Sequence, residues 1–272
     1  MEAFTADWLA LREPADARAR SATLTALVVD RLQPPGPLRV LDLAAGTGAN
    51  ARYLAEFLAG RNMQARAQWL LVDHDSGLLE RAASRLASHR VETSIVDLAS
   101  AFDPEGKNIC ADRGLVTASA LLDLVSEGWL KRLAGKCRDA GAVVLFALTY
   151  NGDMRCVPAE AEDGEVRDLV NRHQRIDKGF GPALGPDAAA FAAQAFAARG
   201  YHVRQERTDW LLADDVPVLQ QELIEGWADA AVEIAPAETL RVNGWKTRRL
   251  AHVDAGRSRI VVGHDDLAAW LA

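Results

Sequence analysis

The sequence predicts an α/β protein: a doubly wound, mostly parallel seven-stranded sheet with an N-terminal helical segment and helical cap insertions. Short apolar runs rich in β-branched residues alternate with helical stretches from residue 38 onward. The run at 142–148 is almost wholly apolar, as is typical of a parallel strand covered on both faces. With 272 residues, 49% of them hydrophobic, the chain can bury the core that such a domain requires.

Residues 1–33 are predicted to form a helical lid. The helical pattern is expected to break near Pro14, with Asp16 capping the helix that follows. Arg20 lies four residues before Leu24 on the same apolar stripe, where a lone guanidinium would be costly. It therefore either meets an anionic group of a ligand or reaches solvent from the helix end.

The segment 34–150 is predicted to be the cofactor-binding core of the sheet, entered through a stiff proline-rich linker at 33–37. Its expected strands lie at 38–43, 69–72, 93–96, 114–118 and 142–148. Its expected helices lie between them, at 50–58, 76–86 and 129–137. Apolar strands separated by helices indicate a parallel sheet covered on both faces.

The alternation of apolar strands and helices stops at 151–186. We expect this polar insertion to act as a substrate lid. Residues 187–272 are expected to complete the sheet, with strands at 201–212 and 258–263 and a closing helix at 265–271. Two helices between these strands are predicted to form a cap over a site on the sheet.

Charge and cysteine content exclude several classes of protein. The chain has 31 Lys and Arg against 38 Asp and Glu, a net charge of −7. It therefore lacks the net positive charge that is typical of proteins that bind nucleic acid through its phosphates. Cys110, Cys137 and Cys156 include no C-x-x-C pair, so neither a disulfide framework nor a metal site is predicted. No leader pattern or membrane-length apolar run is present, which predicts a cytoplasmic protein without membrane contact.

Residues 40–50 read as a strand entering a small-residue turn that opens a helix. Gly46 and Gly48 let backbone N–H groups approach a ligand closely, and the helix N-terminus supplies partial positive charge. A nicotinamide-nucleotide turn would carry a third glycine where Ala51 stands, and Asp42 would repel a pyrophosphate. A carboxylate at Asp42 suits a cationic amino group instead.

This turn resembles the first motif of the class I S-adenosylmethionine-dependent methyltransferases in its variant D-L-A-x-G-T-G, with Ala44 in place of the commoner first glycine. The resemblance continues over about 38–148. Asp73 ends the second strand, where the family's acidic residue binds the ribose hydroxyls, and Asp97 ends the third, where a carboxylate meets the adenine amino group. Residues 115–125 resemble the fourth-strand motif, which lies beneath the methionine moiety.

The resemblance implies a class I methyltransferase fold, S-adenosylmethionine as cofactor and S-adenosylhomocysteine as product. His74, beside the ribose acid, either stacks on the adenine or is an exposed loop histidine. The predicted cofactor-binding residues are Arg20, Asp42, Ala44, Gly46, Gly48, Asn50, Asp73, His74, Asp97, Leu98 and Ser119.

Three residues are candidates for acceptor binding or proton transfer. Asp123 follows the fourth strand and is either the cap of a buried turn or a pocket acid with a raised pKa. Tyr150 ends the fifth strand at the expected rim of the pocket, where an ordinary turn role is the alternative. His173 lies in the insertion near glycine hinges and is either an acceptor ligand or base, or a plain loop histidine.

The predicted reaction is methyl transfer to an oxygen or nitrogen of a small-molecule acceptor. Basic residues concentrate at 241–259, where they either recognise an anionic acceptor or form a solvated helix face. The same stretch keeps an RNA base methyltransferase open as an alternative, against which the acidic net charge stands. A third possibility is a regulatory protein that holds the cofactor without turnover, which would lack a cavity between Ser119, Asp123 and Tyr150.

Overall fold

The computed structural model of the chain describes residues 5–32, 36–103 and 108–272. Residues 1–4 of the predicted lid and residues 33–35 of the predicted linker lie outside the described residues. Within the described part, the strands are β1 Leu38–Leu43, β2 Ala67–Asp73, β3 Arg90–Ile95, β4 Leu115–Ser119, β5 Val143–Val157, β6 His202–Arg207, β7 Trp210–Leu212 and β8 Arg259–Trp270.

All of these strands belong to one sheet. Its order is β3-β2-β1-β4-β5-β8-β6, with the short strand β7 paired to β8. The strands from β3 to β5 are parallel, whereas β8 runs antiparallel to both β5 and β6. The predicted doubly wound, mostly parallel sheet is therefore confirmed, with β7 as an additional short strand.

Helices cover both faces of the sheet. They are α1 Ala6–Ala19, α2 Ala22–Arg31, α3 Ala49–Ala59, α4 Ser76–Arg85, α5 Glu127–Ala140, α6 Asp163–His173, α7 Ala188–Ala197, α8 Pro217–Ile234 and α9 Thr239–Asp254. One apolar core contains residues of α5 and α7 beneath one face, and a second contains residues of α2 and α3 beneath the other. A third core joins α6, α8 and α9 to the far ends of β5 and β8.

The strand order reverses direction between β1 and β4. The chain runs outward from β1 through β2 to β3, and then returns to β4 on the other side of β1. In open α/β sheets, ligands bind in the crevice at the carboxyl ends of the strands where the order reverses. The fold therefore places the candidate site at the ends of β1 and β4.

The predicted closing helix at 265–271 is wrong, because β8 continues through Trp270. This strand lies between β5 and β6 and is covered on both faces, so Leu267, Ala268 and Ala269 are buried in succession. Such a run lacks the alternation that distinguishes a strand from a short helix. In the same way β5 extends to Val157, well into the predicted polar insertion.

The predicted helix break near Pro14 is also wrong. Helix α1 continues through Pro14 to Ala19, and the chain turns at Arg20 instead. Ser21 rather than Asp16 caps the next helix, since its Oγ accepts a hydrogen bond of 2.9 Å from the N–H of Leu24. An interior proline removes one helical hydrogen bond, and the packing of α1 against β7 offsets that loss.

No helix among the described residues is long and apolar enough to cross a membrane. Nor does the described part of the chain contain a group of three or more His, Cys, Asp or Glu side chains placed to hold a metal ion.

Candidate active site

A cavity of about 260 Å³ opens at the carboxyl ends of β1, β2 and β4. It is bounded by the turns that follow these strands, by α1 on one side and by the segment after α6 on the other. Its lining residues are Leu9, Arg12, Asp16, Ala44, Ala45, Gly46, Thr47, Ala49, Asn50, Asp73, His74, Leu78, Val96, Leu98, Ser119, Ala120, Leu121, Leu124, His173, Gln174, Lys178 and Phe180.

The small-residue turn after β1 forms the floor of this cavity. Ala44 and Gly46 both adopt positive φ, at 51° and 52°, which bends the chain sharply between β1 and α3. The helix α3 begins without a side-chain cap, so its N-terminal N–H groups are free to meet a ligand. Gly48, also predicted to bind the cofactor, does not line the cavity. A Cβ at this position would lie 3.1 Å from Ala82, so the glycine leaves room for α4.

Asp73 at the end of β2 connects the turn to the neighbouring loop. Its Oδ2 accepts a hydrogen bond of 2.8 Å from the N–H of Gly46, and its Oδ1 accepts one of 3.1 Å from Asp75. His74 Nδ1 lies 3.1 Å from Oδ1 and also lines the cavity. An ionised carboxylate offers about four lone-pair positions, so Asp73 keeps acceptor capacity toward the cavity.

Asp97 and Leu98, which follow β3, were both predicted to bind the cofactor, but only Leu98 lines the cavity. Leu98 is buried and lines the cavity with Val96. Asp97 is exposed and does not line it; its Oδ1 accepts from the N–H of Ala99 at 3.0 Å and its Oδ2 from Ser100 Oγ at 3.1 Å. The Asp97 carboxylate therefore stabilises its own turn.

A buried polar chain lies beneath the glycine turn. Asn50 lines the cavity, and its amide donates to Asp42 Oδ1 at 2.5 Å and accepts from Arg20 Nη2 at 2.5 Å. Arg20 and Asp42 are buried behind Asn50 and do not line the cavity, and both are hydrogen-bonded to the Asn50 amide. Burial raises the pKa of Asp42 to about 7, and its Oδ2 has no hydrogen-bond partner among the described residues.

The turn after β4 carries the first catalytic candidate. Ser119 lines the cavity together with Ala120, which has a φ of 52°. Asp123 follows in the short 3-10 turn Leu122–Leu124 and is buried just behind the cavity wall. Burial raises its pKa to about 6, and its Oδ1 has no hydrogen-bond partner within the described part of the chain.

Of the other two catalytic candidates, one lines the cavity and the other does not. Tyr150 does not line the cavity; its hydroxyl donates to Asn171 Oδ1 at 2.8 Å, and burial raises its pKa above the ordinary value. His173, the last residue of α6, does line the cavity. Its Nε2 lies 3.2 Å from Glu233 Oε2, and its Nδ1 lies 3.4 Å from Lys178 Nζ.

Helix α1 contributes three lining residues that sequence reasoning missed. Leu9, Arg12 and Asp16 are spaced by three and four residues and so share one helix face. Arg12 binds Asp16 through two hydrogen bonds, of 3.0 and 3.2 Å, and lies over the ring of Trp210. The spacing was visible in the sequence, but the expected break at Pro14 obscured it.

The two helices α8 and α9 do not contribute to the cavity, whose lining residues, among those described, all precede residue 181. Three basic residues of α9 pair with carboxylates at 160–165. Arg249 is fully buried and binds Asp163, while Arg248 lies 2.7 Å from Glu160 and 2.6 Å from Glu162. Among the described residues, none of the basic side chains at 241–259 lines the cavity.

No protein-family model and no curated protein sequence matches the chain. Among solved structures, the cyclopropane synthase MmaA2 from Mycobacterium tuberculosis is similar at 9% identity, with 98% of this chain and 94% of that chain covered and a TM-score of 0.51. The YcgJ protein from Bacillus subtilis is similar at 13% identity, with 93% of this chain and 100% of that chain covered and a TM-score of 0.48. Phosphoethanolamine N-methyltransferase 2 from Haemonchus contortus is similar at 15% identity, with 92% of this chain and 53% of that chain covered and a TM-score of 0.44.

At these identities the likeness concerns the fold. The mycobacterial synthase, with a TM-score of 0.51, is matched over nearly the whole of both chains. In the present chain, the sheet order and the glycine turn after β1 agree with the fold that the sequence motifs predict. The chain has the Rossmann-like fold of the class I S-adenosylmethionine-dependent methyltransferases.

Proposed function

We propose that the protein transfers a methyl group from S-adenosylmethionine to an oxygen or nitrogen atom of a small molecule and releases S-adenosylhomocysteine. One observation carries this proposal: a single cavity joins the glycine turn, Asp73 and the end of β4 to the polar face of α1. A cavity at the carboxyl ends of the strands, where the strand order reverses, is where open α/β sheets bind their ligands.

The residues present fit this cofactor. Asp73 retains free lone pairs for the ribose hydroxyls, and the uncapped N-terminus of α3 can accept the methionine carboxylate. Leu78, Val96 and Leu98 supply apolar walls for the adenine. Asp97 is not available for the adenine amino group without leaving its own turn.

The chain's own residues orient the reactants and exclude water. Bound here, the cofactor supplies a methyl group on an electrophilic sulfonium, so the protein mainly has to hold a nucleophile in line with it. Leu9 lies over the turn at Gly46, where a Cβ would come within 3.1 Å of its Cδ1, and Phe180 lines the cavity from the segment after α6. Both side chains shield the site from solvent.

A second candidate function is a regulatory protein that binds the cofactor without turnover. It is favoured by the position of Asp123 and Tyr150, neither of which lines the cavity that Ser119 borders. The RNA methyltransferase alternative has less support, because four of the basic residues at 241–259 are paired with carboxylates: Arg241, Arg248, Arg249 and Arg259.

One experiment separates the three functions. The protein is incubated with methyl-labelled S-adenosylmethionine and either the small-molecule fraction or the RNA fraction of a cell extract. The proposed function predicts label in new small molecules. Label in RNA would support the RNA enzyme, and binding of S-adenosylhomocysteine with no transfer in either fraction would support the regulatory protein.

A further inference from the structure

A lysine with unused hydrogen-bond donors lines the cavity on the side formed by the segment after α6. Lys178 is half-buried there, and its Nζ lies 3.4 Å from His173 Nδ1. Among the described residues it has no other hydrogen-bond partner and no carboxylate partner. An ammonium group has three N–H donors, so those that His173 does not use remain for a ligand. Arg12, which also lines the cavity, is instead bound to Asp16 through hydrogen bonds of 3.0 and 3.2 Å.

His173 holds this ammonium group in position. Its Nε2 lies 3.2 Å from Glu233 Oε2. A carboxylate can only accept a hydrogen bond and an ammonium group can only donate one, so Nε2 carries the ring proton and Nδ1 accepts from Lys178. The His173 side chain is only 12% exposed, so the two contacts orient a ring that is largely enclosed by protein.

The turn that carries Lys178 is held in place by contacts of its own. Asp177 Oδ1 accepts a hydrogen bond of 2.7 Å from the N–H of Gly179, which has a φ of 99°. Phe180 lines the cavity, and its ring lies 5.6 Å from the ring of Trp129 in an edge-on contact. The turn therefore presents a cation and an aromatic ring to the same cavity.

The charges that line the cavity favour an anionic ligand. The Arg12–Asp16 pair is neutral overall, and the Asp73 carboxylate equals the Lys178 ammonium in charge. The cofactor of the proposed function brings an ammonium, a carboxylate and a sulfonium group, which together are net positive. With the lining histidines neutral, the lining side chains and the bound cofactor together carry an excess of positive charge, which an anionic group of the acceptor would balance.

We propose that Lys178 binds an anionic group of the methyl acceptor, a carboxylate or a phosphate, and that His173 is its positioning residue. This inference rests on the proposed function and names its substrate class. Carboxylate and phosphate oxygens accept several hydrogen bonds, and charge-assisted bonds of this kind are about twice as strong as neutral ones. An acceptor anchored at its anionic group keeps its nucleophile in a fixed orientation within the cavity.

The test uses the protein saturated with S-adenosylhomocysteine and labelled with ¹³C-lysine. Benzoate and phenyl phosphate are titrated against the neutral probes benzamide and phenol at constant ionic strength, while the Lys178 Cε resonance, assigned with a Lys178→Gln variant, is followed. We expect a saturable shift with at least one anion and about tenfold weaker binding of its neutral counterpart. The anion that binds more tightly distinguishes a carboxylate acceptor from a phosphate acceptor.

A matched pair of variants separates the site from the overall charge, with binding followed through the resonances of the probes. Lys178→Gln removes the cation and should weaken anion binding about tenfold, with unchanged affinity for S-adenosylhomocysteine. Arg172→Gln changes the net charge equally, at an exposed position that does not line the cavity, and should leave anion binding as it is.

Two variants of His173 test its positioning role. In His173→Asn the side-chain oxygen can still accept from Lys178, whereas His173→Leu has no acceptor. We expect about fivefold weaker anion binding in His173→Leu and recovery of most of it in His173→Asn. Equal weakening in both variants, or none in His173→Leu, would overturn the positioning role.

No saturable shift of Lys178 with either anion, or equal binding of the anions and their neutral counterparts, would overturn the anionic acceptor while leaving the proposed function standing. A loss of S-adenosylhomocysteine affinity in Lys178→Gln would also overturn it, because Lys178 would then bind the carboxylate of the cofactor. Failure of the wild-type protein to bind S-adenosylhomocysteine would overturn the proposed function itself, and this inference with it.

Discussion

At the scale of the residue, Asp73 is the side chain that connects the glycine turn to the loop after β2. It is 5% exposed and accepts hydrogen bonds from the N–H of Gly46 in the turn and from the N–H of Asp75 in the loop. Asp73→Asn removes the charge but keeps the shape, so binding of S-adenosylhomocysteine should weaken by about 1–3 kcal/mol through lost charge-assisted hydrogen bonds. Calorimetric titration measures this loss.

Asp97→Asn is the matched control for that substitution. Its carboxylate is exposed and bonded only within its own turn, so we expect less than about 0.5 kcal/mol change in cofactor affinity. An equal loss in both variants would show that Asp97 moves to the adenine on binding and that the turn observed here is rearranged.

Asp42 predicts a pH dependence of stability. Its pKa is about 7 in the folded chain, against an ordinary value of 3.8. Between about pH 4 and pH 7 the folded chain keeps a proton that the unfolded chain has released, so the unfolding free energy falls as the pH rises. Relative to Asp42→Asn, the wild type should lose about 1–3 kcal/mol between about pH 5 and pH 7 in urea unfolding. A difference that does not vary with pH would contradict a protonated Asp42.

Several of the cavity's lining residues could be predicted from single residues, whereas those on α1 could not. Gly46, Asp73 and Ser119 follow the ends of successive parallel strands, and the topology brings such positions together at one edge. Arg20 and Asp42 were expected at a ligand, but Asn50 lies between them and the cavity.

At the scale of the element, α1 acts as a cover over the glycine turn. Leu9→Ala removes the α1 side chain that lies over Gly46, so S-adenosylhomocysteine should dissociate about tenfold faster in stopped-flow measurements. The control is Leu11→Ala on the same helix, which packs against the core of α6, α8 and α9 and does not line the cavity. Equal dissociation rates in both variants would mean that α1 does not retain the ligand.

The interface between α6 and α9 is structural. Arg249 is 0% exposed and binds Asp163 and the carbonyl of Pro158, whereas Arg248 is exposed. Arg249→Met leaves Asp163 without its charge partner and should lower the unfolding free energy by about 3–5 kcal/mol. Arg248→Met should cost less than about 1 kcal/mol. A large loss of cofactor affinity in either variant would show that this interface reaches the site.

At the scale of the whole molecule, the sequence predicted the sheet well and the cap poorly. Apolar strands separated by amphipathic helices admit few arrangements other than a doubly wound sheet. Helices α8 and α9 are held by contacts between distant segments, such as their shared apolar core with α6 and the buried pair of Arg249 with Asp163, and no local pattern encodes such contacts. The basic stretch therefore resembled a ligand site until its carboxylate partners were located.

Calorimetric titration with S-adenosylhomocysteine, with NAD and NADP as parallel controls, tests the central claim most directly. A cavity that joins an uncapped helix N-terminus to Asp73 should bind S-adenosylhomocysteine with a Kd in the micromolar range, about −8 kcal/mol, and neither dinucleotide. Binding of a dinucleotide instead, or of none of the three, would contradict the assignment of this cavity to S-adenosylmethionine.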